Sequence, residues 1–238
     1  IPKKLLPIKK KKLGRRGSFT NEEYQFLVKY MENQYEKEGR NGNEKMKRAL
    51  LRDYVLFLAN SGVRCGTESS NIKWRHMNWV KDKKGNELLS VYIEKSKTLK
   101  GQGRSVYVIT RGKDKGVARA LTRVMGRSEK YKDLTLDEML KKKVDSYVFR
   151  EEGDKNFTTN MGRMFRTLMD DLEMKYDTTT HNERTLYSLR HFYVTMALKK
   201  DRMSIYQVAR NIGTSVKMIE DFYADEISSA NYEGMYFD

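Results

Sequence analysis

Four short segments of the sequence place arginine, lysine and tyrosine side chains beside small residues. Arginine presents a planar fork of donors that matches the oxygens of a phosphate, lysine can donate a proton, and tyrosine can act as a nucleophile. Each segment alone is a weak signal, and the argument depends on their order and spacing. The segments are residues 61–68 followed by 72–74, residues 94–98 followed by Arg104, residues 186–192, and residues 212–216 followed by Phe222 and Tyr223.

The charge balance of the chain indicates a polyanionic partner. The 238 residues include 48 Lys and Arg against 32 Asp and Glu, a formal net charge of +16, and 38% of the residues are hydrophobic. A chain this basic, with enough apolar residues for a core, is expected to fold and to bind nucleic acid. The longest apolar run, residues 54–59, is too short to cross a membrane, and residues 1–17 lack the apolar stretch of a signal peptide. We therefore expect a cytoplasmic protein, in a bacterium or at a host-cell nucleoid, with no membrane partner.

The cysteine and histidine content argues against disulfide and metal sites. The single cysteine, Cys65, excludes an internal disulfide and suits a reducing compartment. Together with only three scattered histidines, His76, His181 and His191, it argues against a structural zinc site. We expect neither a metal nor another cofactor.

The amino-terminal segment, residues 1–17, is an expected basic arm. It contains eight of the basic residues, no acidic residue and both prolines, which is typical of an extended segment rather than a folded element. It is either a solvated linker or a strap along DNA phosphates. Because the chain begins with Ile, we expect it to be part of a longer protein, with the arm as an interdomain linker. The arm residues expected to contact DNA are Lys9, Lys10, Lys11, Lys12, Arg15 and Arg16.

Helical patterns surround one region of strand character. Thr20 and Glu23 form a capping-box pattern before apolar residues spaced for one helix face, and Gly62 is a stop signal after a second helix. Three later stretches rich in Val, Tyr, Trp and Ile predict a small antiparallel sheet. They are residues 76–81, 88–94 and 104–109. Helical patterns resume at about 113–125, 135–143, 159–174, 185–200, 204–211 and 215–224. The prediction is one mainly α-helical domain, residues 18–238, with a three-stranded antiparallel β-sheet.

In their order and spacing, the four segments resemble the catalytic domain of the tyrosine site-specific recombinases, the phage integrase family. The resemblance extends from the arm to beyond Tyr223 and lacks the family's amino-terminal core-binding domain. It implies an enzyme that cleaves and rejoins DNA through a 3′-phosphotyrosine, without ATP or a metal. It also implies a source in a phage or another mobile element and double-stranded DNA at paired recombination sites as substrate. The working form would be a homotetramer on two duplexes, and the free chain would be a monomer.

The resemblance also assigns roles to single residues. Arg64 and Arg190 would clamp the nonbridging oxygens of the scissile phosphate, and Tyr223 would be the nucleophile. Lys97 would be the general acid, in competition with Lys95 and Lys100 of the same hairpin.

The scheme also involves two further charged residues, Glu68 and Arg104. Glu68 corresponds to an acid that the family places near this site. It lies one residue further from the arginine than in many relatives, and a plain ion pair at a helix end is the alternative. Arg104, which opens the third strand, is expected to contact DNA.

Packing competes with function at two of these positions. Val216, Ile219 and Tyr223 share a helix face, so a merely packed tyrosine is the alternative. Tyr223 nevertheless lies 11 residues after Ile212 and 33 after Arg190, as the family's nucleophile does. Its rivals in this half of the chain are Tyr193, Tyr206 and Tyr232. Arg190 lies off the apolar stripe of its helix, which argues against a structural role.

Two positions depart from the family pattern. Tyr187 stands where the His-x-x-Arg motif has histidine, and Thr214 stands where the Gly-His-Ser block has histidine. Neither side chain titrates near neutral pH, although both can hydrogen-bond to a phosphate oxygen. We expect an active enzyme. The alternatives are a catalytically inactive DNA-binding relative and a type IB topoisomerase-like relaxing enzyme.

Overall fold

The computed structural model describes residues 17–83, 85–94, 103–108, 110, 116–199 and 203–223. Over these residues it confirms the predicted class, mainly α-helical with one three-stranded antiparallel sheet. The helices are α1 (Asn21–Tyr30), α2 (Gly42–Ser61), α3 (Thr67–Ser70), α4 (Gly116–Gly126), α5 (Leu136–Lys141), α6 (Phe157–Asp171), α7 (Ser188–Lys199), α8 (Ile205–Ile212) and α9 (216–223). The strands are β1 (Met77–Lys81), β2 (Glu87–Ile93) and β3 (Arg104–Val108). A π-helical turn, Met31–Tyr35, extends α1, and a 3-10 turn, Trp74–His76, precedes β1.

Two predicted helix ends are confirmed. The Thr20 hydroxyl accepts a hydrogen bond from the Glu23 amide at 3.1 Å, and the Glu23 carboxylate accepts one from the Thr20 amide at 2.8 Å. Gly62 ends α2 in the left-handed region, with φ of 65°. A Cβ at Gly62 would lie 2.5 Å from the Tyr193 ring, so glycine also permits the close approach of α7 to the end of α2.

The hydrophobic core is built around α2, which contacts α4, α6, α7 and β3. Leu51, Tyr54 and Leu58 of this helix are fully buried because helices surround it on several sides. A second, smaller cluster joins α7, α8 and α9. Its buried members include Tyr193, Val208, Ile212, Ile219 and Tyr223. This smaller cluster holds the end of α8 and the start of α9 against the main core.

The sheet brings β3 and α8 together at the edge where the candidate site lies. β2 pairs with both β1 and β3, and Ile93 at the end of β2 is opposite Arg104 at the start of β3. The Asn211 side chain of α8 accepts from the Tyr107 amide at 2.7 Å and donates to the Tyr107 carbonyl at 3.1 Å. These two bonds fix the carboxyl-terminal end of α8 beside β3.

The first described residues are bound to the carboxyl-terminal half of the domain. The Ser18 amide donates to the Asp177 carboxylate at 2.7 Å, and the buried Arg184 donates to the Ser18 carbonyl at 2.7 Å. Arg184 also makes two hydrogen bonds of 2.7 Å to Glu23. The chain therefore enters the domain at a defined point, and arm residues 1–16 lie outside the described residues.

The structure differs from the sequence prediction mainly in short elements. The one-turn helix α3 was not predicted, because it buries only Glu68 and Ser69 and shows no apolar period. The helix predicted from residue 185 begins at Ser188, because residues 186–187 form a turn. The remaining helices and strands agree with their predicted bounds within a few residues.

Candidate active site

Arg64 and Glu68 form an ion pair across the short loop between α2 and α3. Arg64 follows the left-handed Gly62 by two residues, and α3 then brings Glu68 back towards it. The Glu68 carboxylate accepts from the Arg64 guanidinium at 2.6 Å and from the Arg64 amide at 3.1 Å. Only 1% of the Glu68 side chain is exposed. A buried carboxylate needs such charged partners, because burial without them is strongly unfavourable.

Arg104 approaches the same carboxylate from the sheet. Its two terminal nitrogens donate to the two Glu68 oxygens at 3.0 and 2.8 Å, a bidentate pair. Glu68 therefore lies between Arg64 and Arg104. Only 10% of the Arg104 side chain is exposed, so this arginine lies inside the site rather than on an open surface. Its expected contact with DNA stays a prediction.

Arg190 lies in α7 with its side chain buried. Its guanidinium donates to the Gly62 carbonyl at 2.6 Å and to the Ile212 carbonyl at 2.8 Å. Arg190 lies off the apolar stripe predicted for its helix but is nevertheless buried, since residues 188–195 of α7 are all buried. Burial, and secondarily the nearby Arg64 cation, lower the pKa of Arg190 to about 10. The charged form of Arg190 is therefore less stable here than in water.

The carboxyl-terminal end of α8 binds all three arginines through its backbone. The carbonyl of Asn211 accepts from Arg104 at 3.4 Å, that of Ile212 from Arg190 at 2.8 Å, and that of Gly213 from Arg64 at 2.9 Å. Gly213 ends α8 in the left-handed region, with φ of 68°. The last carbonyls of a helix have no partner within the helix and carry partial negative charge. The turn therefore supplies three acceptors that orient the guanidinium groups.

Tyr223 lies on α9, and its hydroxyl forms a hydrogen bond with Nδ1 of His191. The two rings are tilted, with centroids 5.6 Å apart, and both side chains are buried. His191 is the residue after Arg190, so one helix carries both the buried guanidinium and the imidazole that contacts the tyrosine. Tyr223 also packs in the smaller cluster with Ile219, so it is both packed and hydrogen-bonded.

The rival tyrosines lie in different surroundings. The Tyr193 hydroxyl accepts from Asn211 at 2.7 Å and donates to the Met203 sulfur at 3.6 Å. Burial raises the pKa of Tyr193 to about 12, which makes its phenol a poor source of phenolate. Tyr206 is 64% exposed on α8. Tyr232 lies outside the described residues.

Two residues depart from the family pattern: Tyr187 lies just before α7, and Thr214 lies just after the end of α8. The Tyr187 ring meets the His191 ring edge-on, with centroids 5.3 Å apart. Thr214 follows Gly213, and its amide donates to the Ala209 carbonyl at 3.0 Å, which closes the end of α8. Of the other predicted site residues, Lys97 and the six arm residues lie outside the part of the chain that the structure describes.

The site as a whole is cationic and suited to an anion. Its described members, three arginines and the Glu68 carboxylate, carry a net charge of +2. Within the described ranges, no cluster of three or more His, Cys, Asp or Glu residues could hold a metal ion. In the same ranges, no helix is both long and apolar enough to cross a membrane. The forked donors of the arginines can therefore bind a phosphate group, and Tyr223 lies on α9, the helix that follows α8.

Comparison with solved structures identifies the fold. XerH site-specific recombinase, in a post-cleavage complex with palindromic difH substrate, matches with a TM-score of 0.60 at 12% identity, over 91% of this chain and 52% of that one. The Tn1549 transposon integrase bound to transposon right end DNA matches with a TM-score of 0.55 at 13% identity, over 94% of this chain and 67% of that one. The chain has the fold of a tyrosine recombinase catalytic domain.

A third match supports the same fold. The lambda integrase dimer bound to a COC′ core site gives a TM-score of 0.54 at 16% identity, over 96% of this chain and 51% of that one. The chain thus spans about half the length of XerH recombinase and lambda integrase. No family sequence model and no curated protein sequence matches it.

Within this recombinase fold, the structure brings together four of the predicted site residues and adds one that the sequence did not single out. Arg64, Glu68, Arg104 and Arg190 converge on the end of α8. His191 was treated in the sequence only as one of three scattered histidines. Its position directly after the second arginine, on the helix predicted to carry that arginine, was the signal that could have found it.

Proposed function

We propose that this chain is the catalytic domain of a site-specific DNA recombinase that cleaves and rejoins DNA through a 3′-phosphotyrosine intermediate. The observation that carries the proposal is the group of three arginines around the end of α8, with Tyr223 on α9, the helix that follows. The recombinase fold and the DNA-bound state of its neighbours support duplex DNA as the substrate.

The electrostatics of the site support a phosphodiester as its ligand. Glu68 favours the Arg190 cation only in part, because burial and the nearby Arg64 cation still lower the pKa of Arg190. A phosphate would supply the missing negative charge. A guanidinium has five N–H donors, and the bonds of Arg190 to the Gly62 and Ile212 carbonyls use two of them, so donors remain for nonbridging oxygens. These donors would bind the transition state, which carries more negative charge, more strongly than the ground state.

The covalent step is a transfer of the phosphoryl group to Tyr223. Its hydroxyl oxygen attacks the phosphorus, the bond to the 5′-oxygen breaks, and the tyrosine proton passes to a base. The leaving 5′-oxygen takes a proton from a general acid, for which Lys97 stays the candidate. The connection that contains Lys97 leaves β2 after Ile93 and returns at Arg104, which contacts Glu68. Ile93 and Arg104, the described strand residues on either side of that connection, are therefore paired with each other.

The wider assembly follows from the same proposal. Two duplexes with paired sites would be held by four copies of the protein, and the free chain would be a monomer. The basic arm, residues 1–17, would contact phosphates outside the cleavage site and make binding salt-dependent. A phage, prophage or other mobile element is the proposed source.

A suicide-substrate assay tests the proposal directly. The 238-residue chain is incubated with a pool of nicked duplexes whose sequence around the nick is randomised, and covalent protein–DNA adducts are quantified on a denaturing gel. Wild type should form the adduct. Tyr223→Phe, which removes one oxygen, should form none while keeping its fold and its affinity for DNA.

The other outcomes distinguish the remaining hypotheses. DNA binding with no adduct from wild type would indicate a catalytically inactive DNA-binding relative. An adduct together with relaxation of a supercoiled plasmid that lacks paired sites would indicate a type IB topoisomerase-like enzyme. An adduct that persists in Tyr223→Phe would move the nucleophile to another tyrosine, and Tyr206→Phe is the matched control because Tyr206 is exposed.

A further inference from the structure

The contact between His191 and Tyr223 is the feature from which we draw a further inference. Nδ1 of His191 and the Tyr223 hydroxyl are hydrogen-bonded, and the two rings lie side by side in a buried position. α7 supplies the imidazole and α9 supplies the phenol. A phenol that attacks phosphorus must lose its proton, so the group bonded to it has a direct part in the reaction.

The other imidazoles of the chain cannot take this part. His76 lies before β1, where its Nδ1 accepts a hydrogen bond from the Lys73 amide at 3.2 Å. His181 is exposed in a loop with φ of 54°. The positions at which the resemblance expected histidine hold Tyr187 and Thr214, neither of which carries an imidazole. Within the described residues, His191 is thus the imidazole at the candidate site.

We propose that His191 is a catalytic residue that accepts the Tyr223 proton at Nδ1 during cleavage and returns it during rejoining. This inference rests on the proposed function. In the cleavage step, neutral His191 carries its proton on Nε2 and accepts the Tyr223 proton with the Nδ1 lone pair. The tyrosine oxygen then bonds to phosphorus, and the 5′-oxygen leaves with a proton from the general acid. On rejoining, His191 gives the proton back to the departing tyrosine oxygen.

The surroundings of the imidazole fit this role. The titratable or charged groups that the described contacts place at the imidazole include Tyr187 and Arg190 from its own helix region and Tyr223 from α9. Tyr187 meets the imidazole ring edge-on, with centroids 5.3 Å apart. The guanidinium of Arg190 is turned to the Gly62 and Ile212 carbonyls. The cation formed on His191 would be balanced by the negative charge that develops on the phosphorane.

Single-turnover cleavage of a suicide duplex tests the inference. His191→Asn keeps a hydrogen-bonding group near the Nδ1 position but cannot take a proton. We expect the rate of adduct formation to fall about 10²- to 10⁴-fold, the usual contribution of a general base, with unchanged DNA affinity. The wild-type rate should rise with pH across the imidazole range, roughly pH 5 to 8, and His191→Asn should lack that rise. His76→Asn is the matched control and should keep the wild-type rate.

A second measurement separates proton transfer from positioning. Replacing Tyr223 by 3-fluorotyrosine gives a more acidic phenol that depends less on a base. This change should raise the rate of His191→Asn by a larger factor than that of wild type. A full wild-type rate and pH profile in His191→Asn, with His191→Phe impaired, would overturn the inference and leave His191 as a positioning residue. If wild type itself forms no adduct, the proposed function fails instead, so the two failures are distinguishable.

Discussion

Replacing Glu68 by glutamine tests whether this carboxylate holds the arginines together. The substitution keeps the shape of the side chain and removes its charge. Among the described contacts, the Glu68 carboxylate accepts hydrogen bonds from Arg64 at 2.6 and 3.1 Å and from Arg104 at 2.8 and 3.0 Å. A glutamine can accept only through one oxygen, and its NH₂ group would face guanidinium donors. The net charge of the site would rise from +2 to +3.

The expected loss of stability follows from these contacts. Removing one partner of a buried ion pair costs about 3–5 kcal/mol. Because 20% of the Arg64 side chain is exposed and solvent screens part of its charge, we take the lower end, about 3 kcal/mol. For a domain of this size, about 3 kcal/mol corresponds to a fall in Tm of roughly 6–12 °C. Sulfate should restore part of the stability, because it can bind the arginines left without a carboxylate.

Thermal unfolding in chloride and in sulfate at matched ionic strength is the measurement. Glu23→Gln is the matched control, since Glu23 also accepts two hydrogen bonds from an arginine, both from one terminal nitrogen of Arg184 at 2.7 Å, but on another part of the domain. Sulfate should change the Tm of Glu23→Gln by about as much as it changes the Tm of wild type. A fall in Tm of less than about 2 °C for Glu68→Gln, less than about 1 kcal/mol on this scale, would refute the reasoning. An equal sulfate response in both variants would refute the anion site.

Two further predictions concern Gly213 and the arm. Gly213→Ala should lose about 1–3 kcal/mol of stability and bind sulfate more weakly, because φ is 68° and a Cβ would lie 2.7 Å from Nε of Arg104. The control is Gly126→Ala, whose added Cβ would meet no atom within 4 Å, and it should be neutral or slightly stabilising in the same unfolding assay. Deleting residues 1–16, which keeps the Ser18 anchor on Asp177, should flatten the plot of log DNA affinity against log salt by about 0.9 for each phosphate that the arm neutralises; an unchanged slope would make the arm a plain linker.

Local signals in the sequence predicted the elements of the fold because those signals act within one or two turns. The capping box at Thr20 and the glycine after α2 fixed helix ends through nearby backbone groups. The strands were recognisable from β-branched and aromatic residues. Helix α3 was missed because four residues are too few for a period and because ion pairs, rather than apolar burial, hold its buried Glu68.

The site was harder to predict because its partners are distant in sequence or belong to the backbone. Glu68 and Arg104 are 36 residues apart, and nothing in either segment specifies that they pair. His191 and Tyr223 are 32 residues apart and meet only because α7 and α9 pack in the smaller cluster. Arg190 is buried because α7 is surrounded, which the apolar stripe of one helix could not indicate.

The end of α8 also explains why threonine is compatible with the site at position 214. In this structure residues 211–213 contribute three backbone carbonyls, and the side chain at 213 must be absent because Arg104 lies against it. The amide of Thr214 closes the turn, a bond that any residue except proline can make. Residues 211–214 therefore orient the arginines through their backbone conformation. A histidine at 214 would add a side chain to that arrangement, but the arrangement itself requires only the helix end and Gly213.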